Sequence, residues 1–259
     1  MTSPESSASN KGLLLVCNAA EDRVQLVLGR DREILFVQEA AGSGRTLLVL
    51  PQAMQACFQQ TGVAVQDLSG LAYVRGPGTF TGLRVSIALC TGLGKGAGIP
   101  LAGLEYLPLI AAGASFGSTE VWVCTHARKG LIYVQGFTAS GQSLSPLAVS
   151  ALEDAAKRLE ARHKPVSLVG SGVSRQEAFW RERLPGAHIL ERRWNHPSPT
   201  DLLLAARQAE YARQPAPPLY LRAADAEVNI PQLAAGRGLE ADDFRKRIPD
   251  FLNPSGTSH

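Results

Sequence analysis

The densest concentration of chemically useful residues is Tyr73-Val-Arg-Gly-Pro-Gly-Thr-Phe-Thr-Gly-Leu-Arg84. An apolar run enters a Gly/Pro loop and a second apolar run leaves it, which predicts a strand, a tight turn and a helix start. Glycine allows positive φ and close backbone approach. A helix start offers unpaired N–H groups and the positive end of its dipole to an anion. Gly76, Pro77, Gly78, Thr79, Thr81, Gly82 and Arg84 are therefore candidates for a phosphate or carboxylate cradle. The same residues also suit a plainer task, a tight connection that caps and packs the helix, and both readings stand at this level. The loop is not a P-loop, because it lacks GxxxxGK[ST].

The helix expected over about 83–95 carries small residues every fourth position, Gly82, Ser86, Cys90 and Gly94. Such a row lets another backbone approach closely. Leu83, Val85, Ile87, Leu89 and Leu93 fill its other faces, so it must be covered on more than one side. Burial inside one chain and a helix–helix protein interface both satisfy that pattern. A preceding helix puts Leu47, Leu50, Met54, Cys57 and Phe58 on one face, with Pro51 in its first turn or at a kink. The candidate interface residues are Leu47, Leu50, Met54 and Phe58 on the first helix and Leu83, Ser86, Ile87, Cys90 and Gly94 on the second.

Other clusters say less. Gly92–Gly98 follows a helix, so it reads as a helix end and not as a dinucleotide loop. His126-Ala-Arg-Lys-Gly130 reads as a polar hairpin turn, with Arg128 and Lys129 as cations an anion could meet. Arg181, Arg183, Arg192 and Arg193 read as a solvated basic face, since little aromatic interleaving accompanies them. Five histidines show no HxxxH or HExxH, and four cysteines show no CxxC. No metal set and no catalytic Ser/His/Asp or Cys/His arrangement is assigned. Cys17, Cys57, Cys90 and Cys124 read as reduced core thiols of a cytoplasmic protein.

These residues need an ordered frame. The chain has 259 residues, 45% hydrophobic and 19% charged, with a net charge of +3, so a core can form and wholesale disorder is excluded. No run of about 18 apolar residues predicts a membrane span. Residues 12–119 hold seven Lys/Arg and seven Asp/Glu, whereas residues 150–213 hold eleven against eight. The sparsely charged first half is the better candidate for burial against a partner.

Strands are expected at 13–17, 24–28, 33–37, 71–74 and 99–103, with helices after 44, over 83–95 and over 104–114. The order βββαβαβα then recurs: strands at 121–125, 131–137, 143–148, 166–169 and 188–190, and helices at 151–162, 176–183 and 200–213. Thr200 or Ser198 is the expected N-cap of the last helix. Val16–Gly29 aligns without gaps on Val123–Gly136, with five identities. Two related α/β subdomains are expected, over 12–115 and 116–213, between a loose tail at 1–11 and an extension at 214–259.

At Gly76–Arg84 the sequence resembles the TsaB (YeaZ) family of bacterial tRNA threonylcarbamoyladenosine biosynthesis proteins, whose loop is GPGSFTGLR-like. Gly98-Ile-Pro-Leu-Ala-Gly-Leu104 resembles the family's GIPLVGV, Ala127-Arg-Lys-Gly-Leu-Ile-Tyr133 its DARMGEVY, and Pro218-Leu-Tyr-Leu-Arg222 its PVYLR. The resemblance covers roughly residues 12–222. It implies a duplicated actin/Hsp70/sugar-kinase-like (ASKHA) fold. It further implies a non-catalytic scaffold that pairs with TsaD and works with the ATPase TsaE in threonylcarbamoyl transfer to N6 of the adenosine next to the anticodon of tRNA. A homodimer is implied when the chain is alone, formed by the same two helices. ATP or ADP with Mg is implied in the assembly with TsaD and TsaE, and no cofactor is assigned to this chain by itself. An M22 glycoprotease-like activity has no support in these residues. The alternative function is a phosphate-cleft enzyme of the same fold. Departures bear on it: Cys17 replaces an acidic residue, Arg45-Thr46 replaces His-Ser, and His126 replaces the Asp of DARMGE.

Overall fold

A computed structural model describes residues 12–41, 44–114, 119–128 and 130–220. Readings at 1–11, at Lys129 and from Leu221 onward, Arg222 included, lie outside them. The first sheet contains β1 (Leu13–Asn18), β2 (Arg23–Arg30), β3 (Glu33–Ala41), β4 (Gly70–Gly76) and β5 (Leu101–Glu105) in the order β3-β2-β1-β4-β5. The second contains β6 (Glu120–Arg128), β7 (Leu131–Phe137), β8 (Ala148–Ala151), β9 (Val166–Val169) and β10 (His188–Ile189) in the order β10-β9-β6-β7-β8. Read from opposite ends these are one order. In each sheet the central strand pairs antiparallel with the next strand and parallel with the fourth. This doubling is the arrangement that the family resemblance implies.

The central strand β1 is buried on both faces because helices cover both. Its alternating side chains feed two cores. Leu13, Leu15 and Cys17 point toward α1 (Thr46–Thr61) and α2 (Phe80–Ala97). Leu14 and Val16 point toward α3 (Tyr106–Ala114) and α7 (Pro199–Gln208). This second core also takes Val121, Val123 and Val169 from the other sheet, so α3 and α7 lie where the two halves meet. The outer face of the second sheet packs against α4 (Leu152–Glu160) and α6 (Glu177–Arg183), around Trp180. A single turn, α5 (Ser171–Ser174), follows β9.

Several expectations need correction. Opposite Cys17 stands Leu26, whereas opposite Cys124 stands Val134, not the Tyr133 an ungapped repeat requires. A register irregularity at His126–Arg128 makes the second hairpin one residue longer. The strand expected at 143–148 forms at Ala148–Ala151. Thr138, Ser143 and Ser145 instead spend their hydroxyls on neighbouring backbone groups, which competes with the ladder. The last helix ends at Gln208, not at 213, because Ala212 exchanges two backbone hydrogen bonds with Leu101 (2.7 and 2.9 Å) and covers the free edge of β5. Its N-cap is Ser198, in a capping box with Asp201. Pro51 lies inside α1, beyond the first turn, on an exposed face.

Candidate functional site

The Gly-rich loop leaves β4 and starts α2 directly against the β1–β2 turn. The Thr79 amide donates to the Ala20 carbonyl at 2.7 Å. A Cβ at Gly78 would run into the Ala20 carbonyl, and one at Gly82 into the Ala19 carbonyl. Gly76 has φ +125, and a Cβ there would stand 3.0 Å from the Leu219 carbonyl. Pro77 is buried, whereas Thr79 and Thr81 are exposed. The Arg84 guanidinium lies 3.9 Å over the Phe80 ring. The glycines are thus accounted for by close packing of the loop on the turn, which is the plainer of the two readings.

The small-residue row of α2 faces inward. Ser86 and Cys90 are fully buried within the chain, and Gly94 packs on Leu101 and Ile99. The Ser86 hydroxyl donates to helix carbonyls at 3.1 Å. Leu50, Met54 and Leu83 are also core residues. These six are therefore withdrawn as interface residues, because a partner cannot reach side chains that already fill the chain's own core. Phe58 and Ile87 are half-buried, and Leu47 is 67% exposed. Sequence reasoning passed over Leu48, which is 60% exposed beside it. No residue of α1 is charged, and α2 carries only Arg84 and Lys95. Their outer surface is a broad, nearly charge-free face headed by two exposed leucines.

The second constellation lies where the sheets meet, among residues that no motif in the sequence connects. The β1–β2 turn brings up Glu21 and Asp22. Ser171, at the start of α5, donates its hydroxyl to Glu21 Oε1 and accepts the His126 amide at 2.8 Å. The Tyr106 hydroxyl reaches Glu21 Oε2 at 3.2 Å and His196 Nδ1 at 3.0 Å. His196 Nε2 lies 3.5 Å from Asp22. Burial pushes the Glu21 carboxyl up to about 7, helped by Asp22 and opposed by the Ser171 and Tyr106 bonds and by Arg175. Burial lowers His196, against the pull of Asp22. Around these groups, Asn18 donates to Gln25 at 2.7 Å, and Gln25 donates to the Pro197 carbonyl at 2.9 Å.

The cysteines are buried thiols. The bond to Cys90, with burial, raises Cys17, and burial alone raises Cys57 to about 11 and Cys124 to about 12. Cys17, Cys57 and Cys124 therefore lack the lowered pKa of a nucleophile. In the basic cluster, Arg181 pairs with Glu177, Arg183 with Glu160 and Arg193 with Glu191, as a solvated face does.

The Gly-rich loop offers little to a phosphate. The Thr79 amide at the start of α2 is spent on the Ala20 carbonyl, and the adjoining turn presents the Asp22 carboxyl group, which does not attract phosphate. Among the described residues no three His, Cys, Asp or Glu side chains converge as metal ligands.

A family model described as TsaD, tRNA N6-adenosine threonylcarbamoyltransferase, matches residues 47–230. The chain is similar to the tRNA threonylcarbamoyladenosine biosynthesis protein TsaB of Escherichia coli (strain K12), 33% identical over 122 residues. That stretch covers 46% of this chain and 52% of the relative, about half its length. The protein of the same name from Bacillus subtilis (strain 168) is 25% identical over 180 residues, covering 68% of this chain and 79% of the relative. Among solved structures, YeaZ from Pseudomonas aeruginosa matches with a TM-score of 0.63 at 22% identity, covering 81% of this chain and 100% of that one.

Proposed function

Because the chain belongs to the TsaB (YeaZ) family of tRNA threonylcarbamoyladenosine biosynthesis proteins, we propose that it serves that modification as a non-catalytic subunit pairing with a TsaD-type protein. The observation that carries this reading is the outer face of α1 and α2. Leu47 and Leu48 stand exposed on a helix pair with only Arg84 and Lys95 charged. Interface cores are depleted of charge and hold apolar anchors in this way. The polar constellation between the sheets supports the non-catalytic part, because its carboxyl groups are engaged with Ser171, Tyr106 and His196, and Cys17, in the neighbouring core, is a buried, high-pKa thiol. In this reading a TsaD-type partner supplies the catalytic centre, a TsaE-type ATPase completes the assembly with ATP and Mg, and tRNA is the substrate of the whole. The same face forms a homodimer when the chain is alone. The setting is cytoplasmic, in keeping with four free, buried thiols. No helix among the described residues is long and apolar enough to cross a membrane.

Omission from a reconstituted reaction tests the proposal. With the TsaD-type and TsaE-type proteins of the same organism, threonylcarbamoyl transfer to tRNA is expected to fall at least tenfold when this chain is left out. Undiminished product without it overturns the subunit role, and product from this chain alone overturns the non-catalytic assignment.

A further inference from the structure

Five side chains form an unbroken polar chain across the junction of the two halves. Glu21 and Asp22 come from the β1–β2 turn, Tyr106 from the start of α3, Ser171 from the start of α5, and His196 from the segment before α7. The Tyr106 hydroxyl is the central link, 3.2 Å from Glu21 Oε2 and 3.0 Å from His196 Nδ1. A phenol has one hydrogen to give. When Glu21 is ionised and His196 keeps its hydrogen on Nε2, facing Asp22, both neighbours of Tyr106 are acceptors and only one is served. When Glu21 is protonated, both hydrogen bonds of the Tyr106 hydroxyl are filled. Glu21 donates to Tyr106, Tyr106 donates to His196 Nδ1, and His196 Nε2–H faces Asp22. The Ser171 hydroxyl meanwhile donates to the other Glu21 oxygen.

We propose that this chain is a one-proton latch: a proton held between Glu21 and His196 ties the β1–β2 turn to the second half of the molecule, and losing it releases the tie. Moving the proton along the chain, from Glu21 through Tyr106 to His196, keeps the count of hydrogens and charges. Losing it to solvent leaves an acceptor without a donor and a partly buried carboxylate beside Asp22, both unfavourable.

The surroundings set the direction. Burial and Asp22 hold the Glu21 carboxyl up near 7, while Ser171, Tyr106 and Arg175 oppose them. Arg23 disfavours a charged His196, and Asp22 and Glu39 favour it. Burial keeps Tyr106 a neutral hydroxyl. The folded-state value of Glu21 lies above its ordinary 4.5, so the folded form binds the extra proton. Its contribution is complete at low pH and is lost as pH climbs through about 7. Release reaches the α2 start as well, because the Ala20 carbonyl next to Glu21 accepts the Thr79 amide.

Hydrogen exchange of the full-length protein, corrected for intrinsic rates, reads the latch segment by segment. Between about pH 5.5 and about pH 8.5 we expect residues 19–23 and 171–176 to lose protection roughly tenfold while β1 does not change. Glu21→Gln keeps an oxygen for Ser171 and an N–H for Tyr106, so it is expected to stay protected at both pH values. Tyr106→Phe keeps the ring in the core but breaks the chain, so both segments are expected to be unprotected throughout. Equal wild-type protection at the two pH values overturns the latch. So does a wild-type pH step that persists in Glu21→Gln or in Tyr106→Phe.

Discussion

Cys90→Arg is expected to unfold the protein. Cys90 is fully buried between α2 and the first sheet, where it meets the Cys17 thiol in an apolar cluster that includes Leu15, Leu50 and Tyr73. Among the described residues no Asp or Glu is fully buried to pair with a charge there. An unpaired guanidinium there costs more than about 4 kcal/mol, a large share of the roughly 5–15 kcal/mol that holds a typical domain together. Cys90→Ala removes only a sulfur and is expected to cost about 1 kcal/mol. Thermal melting followed by circular dichroism checks both. A Cys90→Arg protein that melts like the wild type would mean that this face of α2 is open to solvent.

Leu47→Glu combined with Leu48→Glu is expected to act in the opposite way, abolishing pairing and sparing the fold. Both side chains are mostly in solvent already, so the change in monomer stability stays within about 0.5 kcal/mol. Two carboxylates placed in a contact face whose only charges are Arg84 and Lys95 must be desolvated on association, at about 3 kcal/mol or more, which weakens it by at least about a hundredfold. Calorimetric titration against the TsaD-type protein measures that loss, and a melt of the free variant confirms that it is folded. Together the two experiments separate the inward row of α2 from the outward head of α1.

That separation marks how far the sequence could be read. Strong apolar runs located their elements well: Leu131–Phe137 and Val166–Val169 fall where expected, and the recurrence of element order foretold two sheets of matching topology. A row of small residues says that some backbone comes close, but not whose. For Gly82, Ser86, Cys90 and Gly94 it is the chain's own β1–β2 turn and sheet. Leu47 and Leu48 carry no periodic signal that marks them as exposed, since α1 is apolar on several sides. The polar cluster between the sheets was illegible for a different reason. Glu21-Asp22 looks like any polar turn, and Tyr106 and His196 lie 85 and 175 positions away from Glu21 in the sequence. Only the folded junction brings them within hydrogen-bond reach. The Gly-rich loop was visible at once, yet two readings fitted it equally until Ala19 and Ala20 were seen pressed against its glycines.

The most direct test of the central claim is the mass of the purified chain by light scattering, alone and mixed with the TsaD-type protein of the same organism. The expected result is a homodimer that gives way to a one-to-one heterodimer, with the Leu47→Glu/Leu48→Glu protein remaining a folded monomer in both samples. A wild-type chain whose mass does not respond to the TsaD-type protein, or a double variant that still joins it, would contradict the account.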